Sequence, residues 1–83
     1  MKVHIRYFAS ILESLERGTE TVESGAATLG ALRDELIGRG GAYAESLARG
    51  RAVRLALNQV MAEESAALSE GAEVGFFPPV TGG

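Results

Sequence analysis

The residues with the clearest chemical implication close the sequence: Thr81-Gly82-Gly83, directly behind Phe76-Phe77-Pro78-Pro79-Val80. Two glycines present no side chain, so they can thread a channel too narrow for a branched residue. Glycine also reaches backbone conformations closed to other residues. The two prolines hold φ near extended values and cannot continue a central ladder. They read as the end of a last strand and the semi-stiff base of a projecting tail. Chemistry on such a tail is chemistry on a carboxylate, which reacts only once its oxygen becomes a leaving group. Adenylation by a separate ATP-using enzyme does that. A sulfur nucleophile can then displace AMP and leave a terminal thiocarboxylate. The plainer alternative is a frayed terminus, where most chains finish.

No other group competes with the tail. Cysteine is absent, so these residues cannot carry sulfur or a thioester on a thiol of their own, and the absence fits a reducing compartment such as the cytoplasm. His4 is the single histidine; it falls on the outward side of an alternating segment, with no Ser/Asp partners for a triad and no companion ligands for a metal. Glu63-Glu64 and the pair Glu13/Glu16 read as charges solvating a face. Gly38, Gly40 and Gly41 follow a helical pattern rather than open one and lack the lysine of a phosphate loop. No side-chain active site is visible, and no metal site is expected.

The elements that must position the tail follow from periodicity. Lys2 to Phe8 alternates, with Val3, Ile5 and Tyr7 on one face and His4, Arg6 and Phe8 on the other, which predicts a half-buried strand. Ala9 to Glu16 carries Ile11, Leu12 and Leu15 at helical spacing, with Gly18 as the stop. Thr19 to Glu23 is β-branched and predicts a strand paired hairpin-like with the first. Thr28 can cap a helix whose stripe is Leu29, Leu32, Leu36 and Ile37, leaving Arg33, Asp34 and Glu35 on the solvated side. Ala42 to Arg49 is open between a short helix and a loop. Ala52 to Asn58 alternates again, Asn58-Gln59 turns into a short strand at Val60-Met61, and Glu73 to Pro78 is the last strand. This order predicts an α+β fold, a sheet with one main helix across one face and its first and last strands near the centre. Residues 1–79 form the domain, and 80–83 a flexible tail.

Strand parity then locates a surface. If Val3, Ile5, Tyr7, Val74 and Phe76 face the helix, Phe8 and Phe77 emerge on the opposite side. Met61, following an inward Val60, should join them as an apolar docking patch. The alternative is that Phe8 or Met61 lies under a loop. Pro78, Pro79 and Val80 would extend the partner-binding surface toward the tail. A chain of 83 residues is one small domain. Its formal charge of −3 argues against a dedicated nucleic-acid binder. No apolar run approaches the roughly 20 residues of a membrane span, and the N-terminus is unlike a signal peptide.

The run from Gly75 to Gly83 resembles the end of the molybdopterin synthase small subunits, the MoaD family of ubiquitin-like sulfur carriers. Val3-His4-Ile5-Arg6-Tyr7-Phe8-Ala9 resembles that family's first strand. Ala56-Leu57-Asn58-Gln59 is similar to its strand and turn, and Leu68 to Val74 to its entry into the last strand. The chain departs from the pattern at Leu12, where many relatives carry a basic residue, and at Ala72, where an acidic one is common. The resemblance implies a β-grasp sheet of about five strands. It implies that Gly83 is adenylated by an activating enzyme of the MoeB type with Mg-ATP, then converted to a thiocarboxylate. Thr81 and Gly82 would thread the tail into the large subunit (MoaE-like, in a heterotetramer), which supplies the catalytic side chains. Sulfur would pass to cyclic pyranopterin monophosphate to build the dithiolene. Phe8, Met61 and Phe77 would be docking residues, and no cofactor would be bound permanently. A protein modifier, a carrier for another pathway such as thiamine, and a plain interaction module are the alternatives.

Overall fold

Alternation in two segments builds the centre of the molecule. The computed structural model describes residues 1–79. Val80, Thr81, Gly82 and Gly83, on which the tail expectations fall, lie outside the described residues. In chain order the elements are β1 (Lys2–Tyr7), α1 (Ala9–Leu15), β2 (Thr19–Glu23), α2 (Leu29–Ile37), α3 (Gly41–Leu47), β3 (Arg54–Leu57), β4 (Val60–Ala62) and β5 (Glu73–Phe77). The five strands form one sheet in the order β2-β1-β5-β3-β4. β1 and β5 run parallel, with Ile5 beside Val74 and Tyr7 beside Phe76. The other three pairings are antiparallel. The two strands with the cleanest alternation are therefore neighbours inside the sheet, as expected.

One face of the sheet carries the core. Val3, Ile5, Tyr7, Leu55, Val74 and Phe76 are buried in a single cluster with Leu29, Leu32 and Leu36 of α2, Ile11 of α1 and Leu47 of α3. α2 starts where the Thr28 hydroxyl accepts the Ala31 N–H at 3.2 Å, the cap read from the sequence. α1 and β2 also stand at the expected places. α1 ends in the left-handed region at Glu16 (φ 54) rather than at Gly18. Among the described residues, no helix is long and apolar enough to cross a membrane.

Two polar residues, Arg33 and Glu64, depart from expectation because their partners are distant in sequence, and Glu20 forms a node that the sequence did not single out. Arg33 was placed on the solvated side of α2, yet it is only 3% exposed. Its guanidinium donates to the carbonyls of Leu47 (2.8 Å), Ala48 (2.7 Å) and Arg51 (3.1 Å) and to the Glu64 carboxylate (3.2 Å). It thereby satisfies carbonyls at and beyond the end of α3, the segment the sequence left open between helix and loop. Burial lowers its pKa, with Glu64 opposing that shift. Glu64 is accordingly no free surface charge: Arg49 grips its other oxygen, and its side chain packs on Gly30. Glu20 forms a second node. Its carboxylate accepts from the Tyr7 hydroxyl (2.6 Å), the Tyr43 hydroxyl (2.7 Å), Arg39 (2.9 Å) and Arg17 (3.0 Å). Burial opposes its charge, but the hydrogen bonds from Tyr7, Arg39 and Tyr43 win and hold its pKa at about 2. Burial, with the same hydrogen bond to Glu20, pushes the Tyr7 hydroxyl well above the usual phenol range.

Candidate functional site

Everything on the opposite face follows from the same alternation read out of phase. Phe8 continues β1 on the open side, and Phe77 ends β5 on that side. Their rings stack in parallel, centroids 4.3 Å apart and planes 5° from each other. Ala9 adopts φ 51, a left-handed conformation unusual for alanine, at the corner where the chain leaves the strand for α1. Gly75 lies beneath the rings: a Cβ there would sit 3.0 Å from Phe77 and 3.3 Å from Phe8. The stack thus needs a residue without a side chain in the strand beside it. In the register of the sheet, Arg6, Gly75, Ala56 and Met61 form one row across β1, β5, β3 and β4.

Met61 reaches this row through a tight hairpin. Asn58 and Gln59 both have positive φ (50 and 68), the conformation of a two-residue turn that matches the strand twist. Asn58 anchors the hairpin to β5 by accepting the Glu73 N–H at 3.0 Å. Met61 is 55% exposed and Val60 67%. Val60 has the inward parity expected of it, opposite Leu57. However, β4 is the sheet's last strand, so Val60 keeps its inward side without being buried there.

Phe8, Phe77 and Met61 converge as expected, and none lies under a loop. Together with Arg6, Ala56, Gln59, Glu73 and Gly75 they line a depression of ≈190 Å³. An apolar groove of ≈450 Å³ adjoins it, lined by Phe8, Ala9, Arg54, Met61, Phe77, Pro78 and Pro79. Pro78 and Pro79 therefore carry the chain off the edge of the aromatic platform. They also border a more polar groove with Ser10, Ser14, Ser46 and Arg51. The platform's rim is charged. The Arg6 guanidinium lies 5.7 Å from the centre of the Phe8 ring and 3.7 Å from Glu73. Arg54 stands beside Phe77 in the strand register. Gly75, Arg6 and Arg54 were not singled out from the sequence; an isolated glycine inside an alternating strand was the available signal for a close approach.

The remaining candidates stay apart from this platform. His4 is exposed, its Nδ1 2.9 Å from the Thr21 hydroxyl. Glu13 and Glu16 are exposed on and just after α1. Among the described residues, no group of His, Asp and Glu could hold a metal ion. What the arrangement offers is an apolar surface bordered by Pro78 and Pro79.

A mixed sheet with two parallel central strands, its longest helix packed against one face, is the β-grasp arrangement of ubiquitin-like proteins. The comparisons narrow that class. Residues 5–83 match the model of the ThiS family. The chain is 33% identical over 81 residues to the molybdopterin synthase sulfur carrier subunit of Haemophilus influenzae, covering 98% of this chain and 99% of that one. Small archaeal modifier protein 1 of Haloferax volcanii shares 26% identity at a TM-score of 0.77, over 95% of this chain and 98% of that chain. A protein–protein complex of subunits 1 and 2 of molybdopterin-converting factor from Helicobacter pylori contains a chain 26% identical, with a TM-score of 0.70 and all of both chains covered. The chain belongs to the ThiS family of ubiquitin-like proteins, in its MoaD branch.

Proposed function

We propose that this protein is the sulfur-carrier small subunit of a molybdopterin synthase, working in the cytoplasm. The observation that carries the reading is the position of the chain's exit. Pro78 and Pro79 leave the domain at the border of the Phe8–Phe77–Met61 platform, so a partner held on the platform receives the tail. The Gly83 carboxylate is adenylated by an activating enzyme of the MoeB type using Mg-ATP. Sulfur displaces AMP, and Gly83 then bears a thiocarboxylate. Thr81 and Gly82 thread the tail into a large subunit of the MoaE type, within a heterotetramer, where sulfur passes to cyclic pyranopterin monophosphate. The small subunit contributes delivery and recognition, and the acid–base groups belong to the partner. The H. pylori complex of subunits 1 and 2 supports pairing with a second subunit.

Intact mass tests this directly. After co-expression with an activating enzyme and a sulfur source, one oxygen of Gly83 should be exchanged for sulfur. A terminus left as carboxylate, in a system that loads the H. influenzae relative, would sink the proposal. The likeness to the archaeal modifier protein favours a second reading, covalent attachment to lysines of other proteins. Isopeptide links from this chain to other proteins, seen on immunoblots, would establish that reading, since a dedicated carrier yields none to other proteins.

A further inference from the structure

An activated acyl terminus is attacked by any unprotonated amine it meets, and the amines of this chain are few and remote. Seven of the eight basic residues are arginine; Lys2 is the single lysine. Guanidinium groups remain protonated and do not act as nucleophiles. The Met1 amine is engaged, donating to the Ser24 carbonyl at 3.0 Å and lying 3.4 Å from the Glu23 carboxylate. Lys2 is exposed. Its carbonyl accepts from Gly71 at the start of the turn into β5, so it sits at the opposite end of the sheet from Phe77.

Reach decides which amines the terminus can meet. Phe8 lies six positions beyond Lys2, about 20 Å of strand. Pro78 and Pro79 follow Phe77 past the Tyr7–Phe76 pair, at the end of the sheet away from Lys2, and line a groove with Ala9 and Ser10. Four residues beyond Pro79 span at most about 14 Å, and a lysine side chain adds about 6 Å. Even doubled straight back, the chain falls short of its own Lys2. By contrast Arg54, which lines the exit groove with Pro78 and Pro79, stands well inside that radius.

We propose that Lys2 is the one side-chain acylation site of this protein, open to the activated terminus of a second copy and closed to its own. The chain thereby keeps an activated Gly83 free of capture in cis. This rests on the reading of Gly83 as an activated terminus. In the reaction the lysine nitrogen's lone pair attacks the Gly83 carbonyl carbon and a C–N bond forms. The bond to the leaving group breaks, AMP departs from an acyl-adenylate (or a thiolate from a thioester), and the amine's proton passes to solvent.

The test uses the full chain with Gly83 converted to a small-molecule thioester by intein cleavage, so that no activating enzyme is needed. A tethered amine sees an effective concentration on the order of millimolar. At about 10 μM protein, Arg54→Lys should therefore lose its thioester roughly a hundredfold faster than transfer between molecules allows. Its product is a cyclised chain one water lighter than the free acid, with Gly83 linked to position 54. Arg51→Lys, at the neighbouring groove, guards against a local fault at position 54. Dilute wild type should only hydrolyse. Concentrated wild type should form linked dimers joined at Lys2, and Lys2→Arg should abolish them.

Cyclised wild type overturns the proposal, as does failure of both arginine-to-lysine variants to cyclise. Absence of dimers in concentrated wild type, or their persistence in Lys2→Arg, overturns the assignment of Lys2. Failure of the sulfur-carrier reading shows elsewhere, as missing oxygen-for-sulfur exchange after co-expression.

Discussion

On the helix-covered side of the sheet, β1 and β5 contribute Val3, Ile5, Tyr7, Val74 and Phe76 to a core shared with three leucines of α2. On the open side the same two strands, continued by Phe8, contribute a half-buried aromatic stack lying over Gly75. Both surfaces are apolar and both come from one alternating pattern. They differ in what covers them. The inner face is closed by the chain's own helices, whereas the outer face borders the open depression and groove at Met61. Mutations that separate stability from recognition should therefore sort by strand parity, and Phe76 and Phe77 are the sharpest pair on which to try it.

The largest effect belongs to the inner face. Phe76 is 0% exposed and stacks on Tyr7 with ring centroids 5.9 Å apart. Phe76→Ala should cost about 3–5 kcal/mol as a core truncation. For a domain of this size each kcal/mol lowers the melting temperature by about 4–8 °C, so thermal denaturation reads the loss easily. A Phe77→Ala variant that melted just as low would break the comparison.

The Glu20 node makes the inner side sensitive to acid. An ordinary glutamate titrates at 4.5, and in the folded chain Glu20 titrates at about 2. Its folded-state pKa is depressed, so its contribution is complete above the unfolded value. It declines as pH falls below about 4.5 and is gone near 2. The loss is at most about 3 kcal/mol at roughly 1.4 kcal/mol per unit. Urea unfolding midpoints across that window should fall more steeply for wild type than for Glu20→Gln. Parallel slopes would show that the carboxylate is not the acid-sensitive tie between β2, Tyr7 and Tyr43.

On the open face the stability effects shrink while the binding effects grow. Phe77→Ala loses a stacking partner worth about 0.5–1.5 kcal/mol and some half-buried area, so a drop of about 1–2 kcal/mol is expected. Gly75→Ala should cost a similar amount, because its Cβ would sit 3.0 Å from Phe77 and push the stack out of place. Both should abolish co-purification with a large subunit while leaving the circular dichroism of the domain intact. Retained binding by Gly75→Ala would mean that the ordered stack is not what the partner reads.

How much of this was legible in the sequence depends on the distance over which the physics acts. The parity of Val3, Ile5, Tyr7, Val74 and Phe76 is a local property of alternation, and so is the Thr28 cap; both stand where the sequence puts them. α3 was not legible, because Gly41–Leu47 is short, opens on glycine and has little amphipathic pattern. What organises its end is Arg33, whose partners lie 14 to 31 residues away. A helical wheel sees only the arginine's charge and sends it to solvent. Val60 illustrates the converse: parity assigned its side correctly, but coverage depends on strand order, and β4 is an edge. That Phe8, Phe77 and Met61 share the open side was legible because parity determines it, while their convergence also depends on the strand order that aligns β1, β5, β3 and β4.

Met61 gives the smallest effect on stability and the cleanest separation of the two faces. It is 55% exposed on an edge strand, and neither the aromatic stack nor the inner cluster includes it. Met61→Ser should thus change stability by no more than about 0.5 kcal/mol, as surface substitutions away from special features do. Yet Met61 lines both the depression over Gly75 and the groove along which the chain leaves. Titration calorimetry against a large subunit should show weakening by about tenfold or more, the range for truncating a central apolar contact. An unchanged affinity with an unchanged melting temperature would confine the recognition surface to the aromatic stack, between Arg6 and Arg54. Weakened binding with an unchanged melting temperature would extend the outer-face function across all the strands from β1 to β4, independent of the core beneath.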